Sequence, residues 1–354
     1  MSRLHKSNKV RAALGVTWVV LAAVVATYMV NDRRSELSGI SAIFSHLQMS
    51  FLVPALILEC ASMAAYAQLQ RSMLAAGRVN SGFWRMVAIF LASNSISSTI
   101  PGGTAFATVY SYRRFRDIGA SEGLSGWAVL AVNVLAALSL FLLALAGLLI
   151  SEGGVSGISL TGSLVSVGIM LALVLYIVTR ADGIARKLGR TMVYLEQRLG
   201  VSWRATRKVR QLEEEIRTIS PSSSRLARAF LWGLMNWLFD ACVLIMAYLA
   251  TGSPIPFDGL LLAYSAGQLA ANLPITPGGL GVVEGSISIA LVAYGGNQEA
   301  SIAAVLLYRL LSFWVWLLPG AGCYFGLRIK GRSARSMNTN LHASEGVSDG
   351  TAGA

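Results

Sequence analysis

The sequence predicts an all-α fold: a polytopic transmembrane helical bundle of about six full spans, with two broken hairpins arranged as an inverted repeat. Three observations predict it. Mean hydropathy is +0.60 and only 13% of residues are charged, about half the fraction usual in a soluble domain. Apolar runs long enough to cross a bilayer recur, and the loops between them alternate in their content of Lys and Arg. Two further apolar regions are each interrupted by Pro-Gly-Gly, "SNSISSTIPGGTAFATVYSYR" at 93–113 and "NLPITPGGLGVVEG" at 272–285.

A spanning helix needs about 20 apolar residues. The runs 12–31, 49–70, 125–150, 158–179, 229–250 and 300–327 qualify. The first follows a basic start, Arg3, Lys6, Lys9 and Arg11, and is too long for a signal-peptide core, so it is read as a retained helix. Positive loops lie on the cytoplasmic side. That rule places the N-terminus, the segment with Arg71, Arg78 and Arg85, the basic segment 180–228 and the tail with Arg328, Lys330, Arg332 and Arg335 inside. It leaves the loops 32–48, 151–157 and 251–258 outside. Both termini are then cytoplasmic, and 333–354 reads as a disordered tail beyond a single membrane domain at 1–332. Within 180–228 a partial apolar stripe with interleaved Arg and Lys suits a helix lying on an anionic leaflet, or equally a solvated linker. The net charge of +12 therefore points to a membrane surface and not to nucleic acid.

The same accounting makes the first interrupted region, 83–112, a hairpin. The chain is inside at Arg85 and inside again at Arg113. From Gly103 to Tyr112 there is helix for only about 15 Å, half a hydrocarbon core. The second region, 259–295, begins and ends outside, and charge leaves its depth open. Two such hairpins entering from opposite faces, each followed by a long span, define repeat units of about 49–150 and 229–327, as in transporters built around broken helices. An Asn precedes each turn, Asn94 and Asn272.

Helix-interior Pro costs about 3 kcal/mol and Gly about 1 relative to Ala, and in lipid the freed backbone groups need partners. Such a break is tolerated where protein or water satisfies it. Its exposed N–H groups suit a phosphate or carboxylate. "TPGGLG" followed by a helix from about Val282 is thus a candidate anion cradle, with a glycine packing kink as the structural alternative. Charges within spans point to function by default. Arg309, in the last span, suits an anionic head group. Glu284, one turn past the break, suits orienting Arg309, meeting a cation or carrying a proton; an ion pair that only locks the bundle is the competing reading. For Glu59 and Asp240, local hydrogen bonding to Ser62 and Asn236 is the simpler account, while Gln268 shares a helical face with Asn272. Cys60, Cys242 and Cys323 lack metal or pairing patterns and read as small buried hydrophobes. His5, His46 and His342 all lie outside the spans, which excludes a His-based site in the membrane. There is no P-loop and no Gly-x-Ser-x-Gly, so no cofactor and no enzymatic activity are expected, with an intramembrane site built from Asp or Glu alone left as the alternative, and the sequence assigns no oligomeric state.

"LPITPGGLGVVEG" at 273–285, "IPGG" at 100–103 with "YRRFRDIGAS" after it, and Arg309 together resemble the membrane domain of the lysylphosphatidylglycerol synthase/flippase family. More broadly they are similar to flippase-like membrane proteins associated with polyprenyl-phosphate glycosyltransferases. The resemblance covers roughly 10–330. It implies movement of a lipid or lipid-linked sugar between leaflets of the inner membrane, without the soluble domain that makes the lipid. It also implies membrane lipids, anionic or polyprenyl-phosphate in type, and a glycosyltransferase as partners. The positions it marks for substrate binding are Pro277, Gly278, Gly279, Gly281, Glu284 and Arg309, together with Pro101, Gly102, Gly103 and Arg113. The competing expectation is a non-transporting scaffold or accessory subunit of an envelope glycosyltransferase.

Overall fold

The computed structural model describes residues 43–100, 102–151, 219, 221–271 and 276–329. The expected spans 12–31 and 158–179, the basic segment up to Thr218 and the tail lie outside the described residues. Eight helices follow one another: α1 (Leu52–Leu74), α2 (Phe83–Thr99), α3 (Gly103–Asp117), α4 (Glu122–Ile150), α5 (Ser223–Ala250), α6 (Phe257–Ala271), α7 (Val282–Ala293) and α8 (Gln298–Ile329). The described residues form no strand. Four of these runs are long and apolar enough to span a bilayer: Met49–Gly77, which contains α1, and α4, α5 and α8. They coincide with four of the six expected spans.

Local chemistry sets the boundaries. Ser121 caps α4, its side chain accepting from the Leu124 N–H, and Asn297 caps α8 in the same way through Ala300. Gly82 in extended conformation opens α2, and Arg78, with φ of 63°, closes the run after α1. α8 is not a uniform α-helix. A π turn at Leu310–Trp314 directly follows Arg309, a feature frequent at functional sites. The register shift is supported by the Trp316 indole N–H, which donates to the Leu311 carbonyl at 2.8 Å.

The chain repeats one pattern, a long helix, a hairpin and a second long helix. α1 and α5 form the most extensive contact. They run antiparallel: the N–H of Gln48, just before α1, donates to the carbonyl of Ala250 at the end of α5, and mid-helix Ser62 meets mid-helix Asn236. The outer helices then pack crosswise. α4 of the first half lies against α6, the first arm of the second hairpin, and α8 lies against α2, the first arm of the first. Each contact closes on a glycine. Gly147 faces the Leu262 backbone N–H and Gly320 faces the Leu91 carbonyl, so closely that an added Cβ would lie 2.7 and 2.5 Å away. Lipid offers no hydrophobic drive between helices, so close approach through small residues takes over that role. Alanines are buried on α1, α4 and α5 as well (Ala67, Ala128, Ala229, Ala247).

Two apolar clusters result, one around Met73, Trp127 and Phe115, the other around Tyr248, Leu260 and Ile287. Trp237 borders both and donates to the Ala136 carbonyl at 2.8 Å. The bundle's outside carries exposed Val53, Ile57, Leu130, Ile289 and Leu318. The cysteines depart from expectation: Cys60 is exposed and Cys242 and Cys323 are half-buried. Apolar runs in a membrane bundle face lipid as well as core, so a small hydrophobe need not be interior.

Candidate functional site

The two broken hairpins meet inside the bundle. In the first, α2 and α3 pack arm against arm, with Ser93 and Ser111 hydroxyls 2.8 Å apart. Their far ends are adjacent as well, since Arg85 donates to the Asp117 carbonyl at 3.3 Å. The chain therefore returns to the side it entered from. The Gly103 N–H donates to the Ile100 carbonyl, and a Cβ there would strike the Ser97 carbonyl at 2.3 Å, so this turn has room only for glycine.

In the second hairpin α6 has 15 residues and α7 has 12. At about 1.5 Å per residue neither arm covers a ~30 Å core. The turn at Pro277–Gly279 packs against α2. Thr276 is extended before Pro277, as proline requires. A turn at Pro277–Gly279 follows, and α7 starts at Val282, where the sequence placed it. Gly278, at φ 59°, wedges its backbone between the Phe313 ring and the Cα of Ser98 near the tip of α2. The tip of one hairpin thus touches the turn of the other. Asn94 stands one turn earlier on α2, its carbonyl accepting from Ser98 Oγ at 2.8 Å.

Glu284 and Arg309 come together on this turn. Arg309 Nε donates to Glu284 Oε1 at 2.7 Å, and an Nη2 proton goes to the Gly278 carbonyl at 2.8 Å. The guanidinium also lies over the Phe313 ring, 4.1 Å from its centroid. The second carboxylate oxygen of Glu284 accepts from the Gly281 N–H at 2.7 Å. That is the half of a capping box available when glycine is the N-cap. The side chains are 8% and 19% exposed, so the pair is largely withdrawn from solvent. A carboxylate thus occupies the meeting point of a guanidinium and a helix N-terminus. The N–H groups of Val282, Val283 and Glu284 begin α7 without intrahelical acceptors.

Gly279 is buried beneath this turn and Gly281 is exposed on it; Pro277 is half-buried. Gly102 precedes α3 at φ 66° with open space around it. Arg113 is exposed on α3, about 15 Å of helix from the first turn. At the end of that arm Arg114 makes the contacts, donating to Asp117 at 3.0 Å and lying over the Tyr110 ring at 5.0 Å. Pro101 and Asn272 lie outside the described residues.

A second polar cluster was not assembled from the sequence. Asp240 Oδ2 accepts from Tyr264 at 2.6 Å, Tyr308 at 2.9 Å and Gln268 at 3.1 Å, and Gln268 also donates to the Tyr308 hydroxyl at 2.7 Å. Glu59, on α1, is also buried, and its Oε2 and Asp240 Oδ1 have no hydrogen-bond partner among the described residues. Local satisfaction does not occur: Ser62 donates across the interface to Asn236, at 3.0 Å to its carbonyl. Gln268 joins this cluster through Asp240 and Tyr308, the residue before Arg309, while Asn272, expected on the same face, lies outside the described residues. The cluster's signal lay in Tyr264 and Gln268, one turn apart on α6 and both polar within an apolar run.

The family model for the lysylphosphatidylglycerol synthase TM region matches residues 12–320. The chain belongs to that family. Among its relatives is a UPF0104 membrane protein of Pyrococcus horikoshii, 27% identical over 113 residues, 32% of this chain and 34% of that protein. Another, from Methanothermobacter thermautotrophicus, is 26% identical over 226 residues, 60% of each chain. The matches thus span about a third and three fifths of these relatives. Glycosyltransferase AglD of Haloferax volcanii is 25% identical over 146 residues, 40% of this chain and 22% of that protein. In this lysylphosphatidylglycerol synthase TM region the second hairpin's turn and α8 bring Glu284 and Arg309 together.

Proposed function

We propose that the protein moves a lipid with a phosphate-bearing head group, anionic or polyprenyl-phosphate in type, between leaflets of the cell membrane, with both its termini cytoplasmic. The observation that carries the reading is the joint between the two hairpins. Arg309, a fork suited to phosphate, stands there beside a helix N-terminus with Glu284 as its resident anion. An incoming phosphate takes the place of the Glu284 carboxylate on Arg309 while the tails stay in lipid. Release follows when Glu284 returns. On this reading the chain carries out no covalent chemistry and needs no cofactor, and the lipid's own gradient or an ion gradient supplies the driving force.

The test is a scrambling assay in vesicles holding the purified full chain, with a fluorescent-tailed phosphoprenol, phosphatidylglycerol and phosphatidylcholine as probes. Wild type is expected to accelerate the first two. Arg309→Ala falls to the rate of empty vesicles and Arg309→Lys loses about tenfold, roughly one charge-assisted hydrogen bond. Equal rates for wild type, Arg309→Ala and empty vesicles would refute the reading. The stretch shared with Glycosyltransferase AglD favours a second one, a membrane subunit beside a glycosyltransferase. It predicts co-purification of such an enzyme from native membranes, with no effect of the chain on lipid scrambling.

A further inference from the structure

A chamber of about 190 Å³ lies between α1, the first hairpin and α4. Its lining has a distinct chemistry. Gln70, Ser93, Asn94, Ser97, Thr104 and Asn133 present hydroxyls and amides into it, and among the described residues no charged side chain reaches it. Gln70 borders it and is 3% exposed, with its Oε1 closed off from solvent and without a hydrogen-bond partner among the described residues. Two aromatic side chains, Tyr66 and Phe90, complete the wall, with ring centroids 4.6 Å apart. Acyl or prenyl chains would waste the amides, and an ion would call for charge. A pyranose uses both features: its hydroxyls pair with uncharged donors and acceptors, and its C–H face lies on aromatic rings.

The chamber borders α2 one residue along the chain from the joint described above. Asn94 and Ser97 line it, and Ser98, next in the chain, carries the Cα against which Gly278 packs. Exposed Thr104 and Thr108 mark its mouth along α3.

We propose that this chamber receives the uncharged, glycosyl part of the cargo head group while the second turn holds its phosphate. The inference rests on the translocase reading for the phosphate, and narrows the cargo class to a glycosylated phospholipid or phosphoprenol.

The experiment uses the purified full chain in lipid discs and a short-chain hexosyl-phosphoprenol with a diazirine on the sugar. Crosslinked peptides are mapped by mass spectrometry. Label is expected on the α1 segment around Tyr66–Gln70 or the α2 segment around Phe90–Ser97. Excess unlabelled hexosyl-phosphoprenol should suppress it at least tenfold more effectively than bare phosphoprenol or phosphatidylglycerol. Gln70→Leu and, separately, Asn133→Leu should each lower the labelling about tenfold in protein with an unchanged melting profile. Label confined to α6–α8 or to lipid-facing positions overturns the proposal, and so does equal competition by the sugar-free lipids. The labelling needs no transport. A chain labelled here that scrambles nothing sinks the translocase reading alone; a scrambling chain labelled elsewhere sinks the chamber alone.

Discussion

Replacing Gly278 by Ala tests the joint between the hairpins most directly. Two penalties add. At φ 59° and ψ 18° a side chain sits in the left-handed region, at about 1–2 kcal/mol. The new Cβ would also lie 2.5 Å from Phe313 Cζ and 3.3 Å from Ser98 Cα. The ring must move, and it cannot move freely because Arg309 lies on its face. Overpacking of that kind costs about 1–3 kcal/mol, giving about 2–5 kcal/mol in all. Gly102→Ala is the matched control: its φ and ψ, 66° and 19°, are nearly the same, but nothing lies within 4 Å of its Cβ. The assay is reversible unfolding of both variants in mixed micelles, alone and with Phe313→Leu. Gly278→Ala should be the less stable by about 1–3 kcal/mol, and Phe313→Leu should remove most of that difference, a coupling expected only of contacting residues. Equal destabilisation of the two glycine variants, or strict additivity with Phe313→Leu, would refute the packing reasoning.

Gly147→Ala and Gly320→Ala should each force α4 from α6 and α8 from α2. Either costs about 1–3 kcal/mol, whereas Gly126→Ala, exposed on α4 with nothing within 4 Å, should be neutral or slightly stabilising; unfolding midpoints decide. Asp240→Leu removes the acceptor of Tyr264, Tyr308 and Gln268 and should cost at least about 3 kcal/mol, one to three per stranded donor. Asp240→Asn keeps an acceptor oxygen and should cost less than half as much by the same measurement.

Composition and periodicity were enough to place the long helices, because a spanning run is a one-dimensional property. α4 and α8 begin within three residues of the expected starts, where Ser121 and Asn297 supply caps. Both breaks were legible for the same reason: Pro and Gly in an apolar run have few explanations. The Glu284–Arg309 pair was legible as two misplaced charges, though its geometry was not, since 25 residues and a turn separate them. The Asp240 cluster, the crosswise packing and the chamber depend on which helix faces which, and serines, threonines and amides are too cheap within a span to announce a shared face. The π turn after Arg309 left no trace, because Leu-Leu-Ser-Phe-Trp contains nothing that breaks a helix.

Glu284 offers the sharpest choice between a resident anion and a mere brace. As a resident anion, its carboxylate competes with a phosphate for Arg309, so neutralising it without changing its size should favour the ligand. Glu284→Gln keeps one acceptor oxygen, enough for either the Gly281 N–H or Arg309 Nε but not both, while removing the negative charge. A charge-assisted hydrogen bond is worth about 1.5–3 kcal/mol, which makes binding of bare phosphoprenol to the variant in lipid discs tighter by about tenfold or more. Scrambling by the same variant should slow, because nothing then displaces the phosphate. A brace predicts the opposite sign for binding. Arg309 would lose its orientation and the apparent Kd would rise, since removing one partner of a withdrawn ion pair leaves the other charge uncompensated. Binding and scrambling measured on the one protein therefore separate the two roles: tighter binding with slower movement supports displacement, and weaker binding with slower movement refutes it.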